Sequence, residues 1–460
     1  MSVSRDLSRL KALQLPPVRK GVAPATAESG GFRGRSPEIP EAAARLAQIL
    51  GATTKSNRFG DHLVLRKWFS EPVAGAPDLG APDGELNGEA LRLMAPGAPK
   101  EASDPAQWLF LDTETTGLAG GTGTYPFLIG IAWWDAGGLE VEQFFMRDHS
   151  EEHSVLLALA DRIVERPVLV TFNGKSFDWP LLETRYRMTR SIRTPVLRAH
   201  LDFLHAARSL WRLRIGSVRL AELELRVLGW NRGADMVSAM IPQIYFDYLH
   251  EGPPEPLVPI FHHNQMDLRG LAALATRVLS LLGNPETQGS DGLEIFGVSR
   301  ICERRGQAQR ARRLYEQSIA RELPSETDRA ARSSLARLAK REGDLELARG
   351  LWEGMLGNSR EGLEAYEQLA IYYEHGAREP HRAVELARKA LQELRSASRI
   401  GTISSTGYRE RRLRFEHRLA RLERKAGGSL LDALEPESAA RGVESNPSQP
   451  EGGKVHGGNQ

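Results

Sequence analysis

Asp112 and Glu114 stand two residues apart where an apolar run, Trp108-Leu-Phe-Leu, turns polar. In an extended strand alternate side chains share a face, so both carboxylates point the same way. Two convergent carboxylates repel one another unless a cation lies between them. A hard divalent ion such as Mg²⁺ or Mn²⁺ suits that donor set. Two solvated acids at a strand end would read the same way, and Asp-Thr-Glu alone does not separate the two. A second charged feature lies downstream, where nine arginines stand between Arg185 and Arg219 and Asp202 is the one acid among them. Such a density suits a phosphate backbone, with Arg208 and Arg212 as contacts. Trp211 in its midst would either stack on a base or sit in the core beneath a solvated helix face. Asp202 reads as a cap or arginine partner, or as a residue at the edge of the site. A further basic run extends from Arg409 to Lys425.

Several elements must position these groups. Residues 108–112 read as a buried strand, 117–123 as a glycine-dense turn, 126–134 as a second strand, and 139–146 as a third after Gly137-Gly138. Short glycine turns between them predict an antiparallel meander. Residues 151–165 have helical periodicity. Residues 168–172 form another strand, closed by Asn173-Gly174, and helices dominate from there to about 283. The pattern predicts a mixed α/β layered domain over 108–284. Before it, residues 1–58 read as a flexible tail with a short helix at Glu41–Leu50. Residues 59–107 read as a strand at 62–69 and a Pro/Gly/Ala-rich linker with a further strand at 90–94. From about 290 to 426 the chain reads as all-α. Ala311, Ala348 and Ala383 recur at intervals of 37 and 35 residues, close to the roughly 34-residue period of tetratricopeptide helix pairs. A last helix at 408–426 would cap the array, and 427–460 reads as a disordered tail.

The composition sets outer bounds. With 460 residues the chain should hold two or three domains. Its formal net charge of +2 is close to balanced and makes no statement about an acidic partner, so local charge has to carry that argument. Cys302 is the one cysteine, which excludes an intramolecular disulfide and a cysteine-based zinc site. The first twenty residues lack the apolar stretch of a secretory signal, and no run approaches the ~18 apolar residues of a membrane span. A cytoplasmic protein without membrane contact is the expectation.

The segment Asp112-Thr-Glu114-Thr-Thr-Gly117 resembles the first motif of the DEDD exonucleases. Thr171-Phe-Asn173-Gly-Lys-Ser-Phe177-Asp178 resembles the second, in which an Asn precedes a metal-binding Asp by five residues. On its own Asp178 reads as a helix N-cap. His262-His263-Asn-Gln-Met-Asp267 resembles the third motif, where a general base precedes the last Asp by four or five residues. If a helix has begun by then, i and i+4 share a face and His263 stands beside Asp267; His262 fits if it precedes the helix. Residues 60–283 resemble the YprB-like branch of the ribonuclease-H-like superfamily. Gly117-Leu-Ala-Gly-Gly, Phe127-Leu-Ile-Gly130, His200-Leu-Asp202-Phe-Leu-His205 and Ile241-Pro-Gln-Ile-Tyr-Phe246 add to the likeness. That branch also commonly carries C-terminal tetratricopeptide repeats.

The resemblance implies a ribonuclease-H-like fold and a 3′-to-5′ exonuclease acting on single-stranded DNA or RNA. Asp112, Glu114, Asp178 and Asp267 would hold two Mg²⁺ or Mn²⁺ ions, and His263 or His262 would take a proton from the attacking water. Asn173 would position substrate, or serve only its turn. The competing expectation is an inactive nucleic-acid-binding scaffold that recruits a protein partner through its repeats.

Overall fold

Seven strands form one sheet: β1 Thr53–Asn57, β2 Gly60–Phe69, β3 Trp108–Thr115, β4 Pro126–Asp135, β5 Gly138–Phe145, β6 Val168–Thr171 and β7 Ala199–Asp202. In this computed structural model, which describes residues 41–70, 86–117, 122–135, 137–233, 236–286, 290–357 and 359–434, their order is β1-β2-β5-β4-β3-β6-β7. β3, β4 and β5 are the expected antiparallel meander. β6 pairs parallel with β3 and β7 parallel with β6. Parallel neighbours need crossovers, and helices supply them here. The β1–β2 hairpin extends the sheet on the free edge of β5.

Among the described residues, eight α-helices accompany the sheet: α1 Glu41–Leu50, α2 Gly88–Met94, α3 Glu152–Glu165, α4 Asp178–Thr189, α5 Leu204–Ile215, α6 Leu220–Leu223, α7 Ile241–Leu249 and α8 Val258–Gly283. The period-two pattern of β3 divides the core. Trp108 and Phe110 pack on one face with α5 and most of α8. Leu109 and Leu111 pack on the other with α3 and α4. Asp112 and Glu114 continue the even register at the end where β3 leaves the core. Trp108 is fully buried and donates its indole N–H to the Ala102 carbonyl at 2.8 Å. Its loss would create one of the larger cavities available to this core, at about 3–5 kcal/mol.

Seven helices follow: α9 Gly292–Arg304, α10 Ala308–Ile319, α11 Ser325–Glu342, α12 Leu345–Glu353, α13 Arg360–Ile371, α14 Pro380–Ile400 and α15 Ser405–Leu434. The chain is thus an α/β domain followed by an all-helical region, as expected. The two are not separated by a second core boundary at 290. Ile295, Phe296, Val298, Ile301 and Cys302 of α9, with residues of α10 and α11, belong to the same apolar cluster as Trp108 and α5. The packing is backbone-close at Gly297, where a Cβ would lie 2.6 Å from the Ser209 carbonyl oxygen. Further on, α11 to α15 form their own smaller clusters.

Some expectations need correction. The stretch 1–58 read as tail holds, besides the short helix expected at Glu41–Leu50, the unexpected strand β1 at Thr53–Asn57. Residues 90–94 are helical, not a strand: Asn87 caps α2 by accepting from the Glu89 and Ala90 N–H groups, and Leu-Arg-Leu-Met suits a helix as well as a strand. β7 was hidden in a stretch read as helical, because four residues with one buried side chain, Leu201, carry little periodic signal. α15 continues through Leu434, beyond the expected tail boundary at 426. The expected tails at 1–40 and 435–460 and the linker at 71–85 lie outside the described residues, as do 118–121 of the glycine turn. No described helix is long and apolar enough to cross a membrane.

Candidate active site

β3, the N-terminus of α4 and the first half of α8 bring the acids together. Asp112 and Glu114 come from β3, and Asp178 opens α4. His263 and Asp267 lie one turn apart on α8, which begins at Val258, so both histidines are inside the helix. His263 Nε2 stands 3.7 Å from Asp267 Oδ2 and 4.0 Å from Glu114 Oε1, whereas His262 is exposed. Thr113, on the opposite face of β3 from its two acidic neighbours, donates its hydroxyl to Asp178 Oδ1 at 2.5 Å. That bond ties the start of α4 to the central strand.

The electrostatics are those of like charges held together. Burial pushes the Asp112 carboxyl well above the usual carboxylate range, and the charges of Asp267, Glu114 and Asp178 push it further. A hydrogen bond from Asn264 opposes the shift. Burial, aided by the charge of Asp202, raises Asp178 to about 6, against the hydrogen bond from Thr113. These carboxylates call for positive charge.

Five residues outside the expected ligand set organise the site: Asn264, Gln143, Gly130, Asp202 and Arg232. Asn264 donates from Nδ2 to Asp112 Oδ2 at 2.8 Å and to its carbonyl oxygen at 3.3 Å. Its Oδ1 accepts from Gln143, which also bonds the Phe261 carbonyl and is fully buried. Gly130 of β4 pairs with Asp112, and a Cβ there would lie 1.9 Å from Asn264 Oδ1. A glycine in the middle of a buried strand was the legible signal of that close approach. Asp202, at the end of β7, accepts from the N–H groups of Asn173 at 2.9 Å, Lys175 at 3.0 Å and Leu204 at 3.0 Å. It both caps α5 and clamps the loop leading to Asp178, with Asn173 itself left-handed at φ 72°. Arg232, 6% exposed in its side chain, places Nη2 2.5 Å from Asp267 Oδ1 and also pairs with the wholly buried Glu224. Nothing in the sequence around Gly229–Gly233 announced it.

The site fits a hard divalent cation in its chemistry. The donor set is oxygen-rich, the carboxylates repel, and one of them already holds a cation in the guanidinium of Arg232. As the side chains stand, no three His, Cys, Asp or Glu among the described residues close into a ligand set.

The arginine-rich segment resolves into different environments. Trp211 is fully buried and donates its indole N–H to Glu294 at 2.8 Å, so it does not stack on a base. Arg185 is buried on Glu152, and Arg214 pairs with Glu294 at 2.8 Å. Arg208 and Arg212 are exposed one turn apart on α5. The basic run of α15 is largely paired: Arg421 meets Glu374 at 2.6 Å, Arg418 meets it at 3.5 Å, and Arg412 meets Glu416 at 2.7 Å.

Residues 109–279, from β3 into α8, match the sequence model of the ribonuclease H superfamily. The uncharacterized protein YprB of Bacillus subtilis (strain 168) is 30% identical over 320 residues, covering 69% of this chain and 74% of that one. The chain belongs to the YprB family. Its sheet domain has a ribonuclease H-like, nuclease-type fold. Among solved structures, the family B DNA polymerase of the hyperthermophilic archaeon Pyrobaculum calidifontis aligns at 15% identity and a TM-score of 0.33. That alignment covers 45% of this chain and 28% of the polymerase, so the chain spans under a third of that relative's length.

Proposed function

We propose that the protein is a metal-dependent nuclease that hydrolyses phosphodiester bonds of single-stranded DNA or RNA, as a 3′-to-5′ exonuclease of the DEDD type. The observation that carries this reading is the convergence of Asp112, Glu114, Asp178 and Asp267 beside one imidazole, His263, with Asp112 lifted by burial and then by the charges of the other three. These four carboxylates would hold two Mg²⁺ or Mn²⁺ ions. Bound there, the ions would lower the pKa of the attacking water and stabilise the leaving 3′ oxygen. The chain's own contribution is positional and acid–base. Asn264 and Thr113 fix the Asp112 and Asp178 carboxylates, and Asp202 fixes the loop that delivers Asp178. His263, flanked by Glu114 and Asp267, would accept the water's proton. Asn173 and the exposed Phe177, 59% accessible just before Asp178, would contact a terminal nucleotide.

The test is hydrolysis of end-labelled single- and double-stranded DNA and RNA with Mg²⁺ or Mn²⁺, run beside Asp112→Asn. Ladders shortening from the 3′ end, abolished in the variant, are expected. Equal activity in the variant would sink the assignment. One observation favours a second reading: Arg232 already satisfies Asp267. Tight oligonucleotide binding with no hydrolysis under either metal would select the inactive scaffold. For the helical region, Ala311, Ala348 and Ala383 are all fully buried, which supports reading it as tetratricopeptide-like pairs that recruit a protein partner.

A further inference from the structure

A cleft of about 540 Å³ opens beside β7, between the 94–98 loop, the Asn173–Asp178 turn and the C-terminal end of α9. That volume is within the range of ligand sites. Its charge balance is one-sided. The one lining acid, Asp202, is already satisfied by three backbone N–H groups. His200, bonded to the Thr171 hydroxyl at 2.9 Å, is pushed down to about 4 by burial and by Lys175, so it is neutral at physiological pH. Lys175, Arg305 and His205 complete the ionisable lining, all exposed, and of these Lys175 and Arg305 carry fixed positive charge. Arg305 donates to the Leu93 and Met94 carbonyls at 2.9 and 3.4 Å, which orients its guanidinium without neutralising it.

The positive wall continues away from the cleft. Arg304 donates to Ser209 Oγ of α5 at 3.1 Å, and burial together with Arg300 and Arg305 pushes its pKa below the usual arginine range. Arg208 and Arg212 face outward from α5. The acids nearest in sequence are occupied. Glu303 accepts from the Tyr315 hydroxyl at 2.6 Å and lies 3.6 Å from Arg337, and Glu294 is held by Trp211 and Arg214. Among the described residues, Arg208, Arg212 and Arg300 have no acidic partner. Like-charged guanidiniums on two helices locked together at Gly297 are a standing repulsion that an anion relieves. The near end adjoins the acid group, since the charge of Asp202 acts on Asp178.

We propose that this cleft and the wall formed by Arg208, Arg212, Arg300, Arg304, Arg305 and Lys175 carry the phosphodiester backbone of a nucleic-acid strand. The helical region then supplies, through α9, part of the substrate track. The orientation of that track toward Asp178 rests on the nuclease reading; the binding does not. Because α9 shares the core of the sheet domain, the track is fixed rather than assembled on binding.

The experiment uses the full chain carrying Asp112→Asn, in EDTA, and reads fluorescence anisotropy of 5′-labelled oligo(dT) and oligo(rU) of increasing length. Affinity should rise with length and fall with salt. Adding Arg300→Gln and Arg304→Gln, both at exposed positions, should weaken binding of the long oligonucleotides roughly ten-fold, the scale of one or two lost charge-assisted contacts. The salt slope should fall by about 1.4, at ~0.7 per contact on a single strand. Lys175→Gln, at the other end of the cleft, should weaken binding in the same direction and guards against a folding defect in the first variant. Unchanged affinity and slope in both variants would overturn the proposal. So would a parent chain that binds no oligonucleotide, or one that binds a poly-glutamate peptide equally well through the same arginines. Arginine-dependent binding with no hydrolysis by the unsubstituted chain in Mg²⁺ or Mn²⁺ would instead overturn the nuclease reading and leave the track standing.

Discussion

Glu374 and Asp112 are both acids removed from solvent, and they keep opposite company. Glu374, 3% exposed at the turn after α13, lies within 2.6 Å of Arg421, 3.5 Å of Arg418 and 4.0 Å of Lys425. Asp112 is driven toward protonation first by burial and then by the charges of Asp267, Glu114 and Asp178. The arginines repeat the contrast. Those of α15 mostly meet acids, while Arg208, Arg212 and Arg300 meet none among the described residues. Balanced charge stabilises a fold, whereas unbalanced charge of one sign destabilises it and persists where a ligand completes it. By that criterion α15 reads as architecture, and the end of β3 with the α5–α9 wall carries the proposed site.

The largest expected effect breaks the comparison at Asp112. Asp112→Asn should lower phosphodiester hydrolysis by a factor of about 10³ or more, since it removes a group on which the metal chemistry depends. In EDTA it should leave the melting temperature unchanged or raise it, because a repelling charge has gone. A fall of several degrees would mean that Asp112 is a structural acid like Glu374. The matching change, Glu374→Ala, should do the reverse. It strands Arg418 and Arg421 against a buried turn and should destabilise the protein by about 2–3 kcal/mol in urea unfolding, less than a fully buried pair because Arg421 is partly solvated. Hydrolysis by the folded fraction should persist.

The legibility of the molecule followed the same division. β3, β4, β5, α3 and β6 could be read because apolar periodicity and glycine turns are local signals. The acids could be placed on a strand end and a helix from their spacing, and the helix start at Val258 then put the i,i+4 partner of Asp267 at His263 rather than His262. What could not be read depended on contacts far apart in sequence. Asn264 reaches Asp112 across 152 positions, and Arg232 reaches Asp267 from an irregular loop. Arginine density likewise says nothing about pairing. Arg185, Arg208 and Arg214 look alike in the sequence, yet the first and last are held by Glu152 and Glu294. Trp211 failed for the same reason, since only the fold shows which face of α5 meets α9.

A smaller effect sharpens the comparison through pH. Asp178 moves from the ordinary 3.8 to about 6 in the folded chain. The unfolded chain therefore releases this proton first. Between about pH 4 and 6 the native state binds more protons than the unfolded one, so stability falls as pH rises and levels off above 6. In EDTA, Asp178→Asn should thus stabilise the fold more at pH 8 than at pH 4.5, by a free energy on the order of 2 kcal/mol, seen as a larger rise in melting temperature at pH 8. Mg²⁺ or Mn²⁺ should stabilise the unsubstituted chain at pH 8 and have much less effect on the variant. A pH-independent difference in the melts would remove the claim that ionised Asp178 is held against its preference.

The smallest effect tests the other half of the contrast. Arg412→Gln and Arg414→Gln change two arginines of α15 whose charges are answered by Glu416 at 2.7 Å and Glu367 at 3.7 Å. Both arginines are more than half exposed, so solvent screens their ion pairs and these contribute little to stability. If pairing is what withdraws an arginine from a polyanion, the double variant should bind a long oligonucleotide within about two-fold of its parent and with the same salt slope, since no phosphate contact is lost. A drop comparable to that of the Arg300 and Arg304 pair would show that paired arginines exchange their acids for phosphates. The α15 helix would then belong to the nucleic-acid surface, and charge balance would no longer distinguish site from scaffold in this protein.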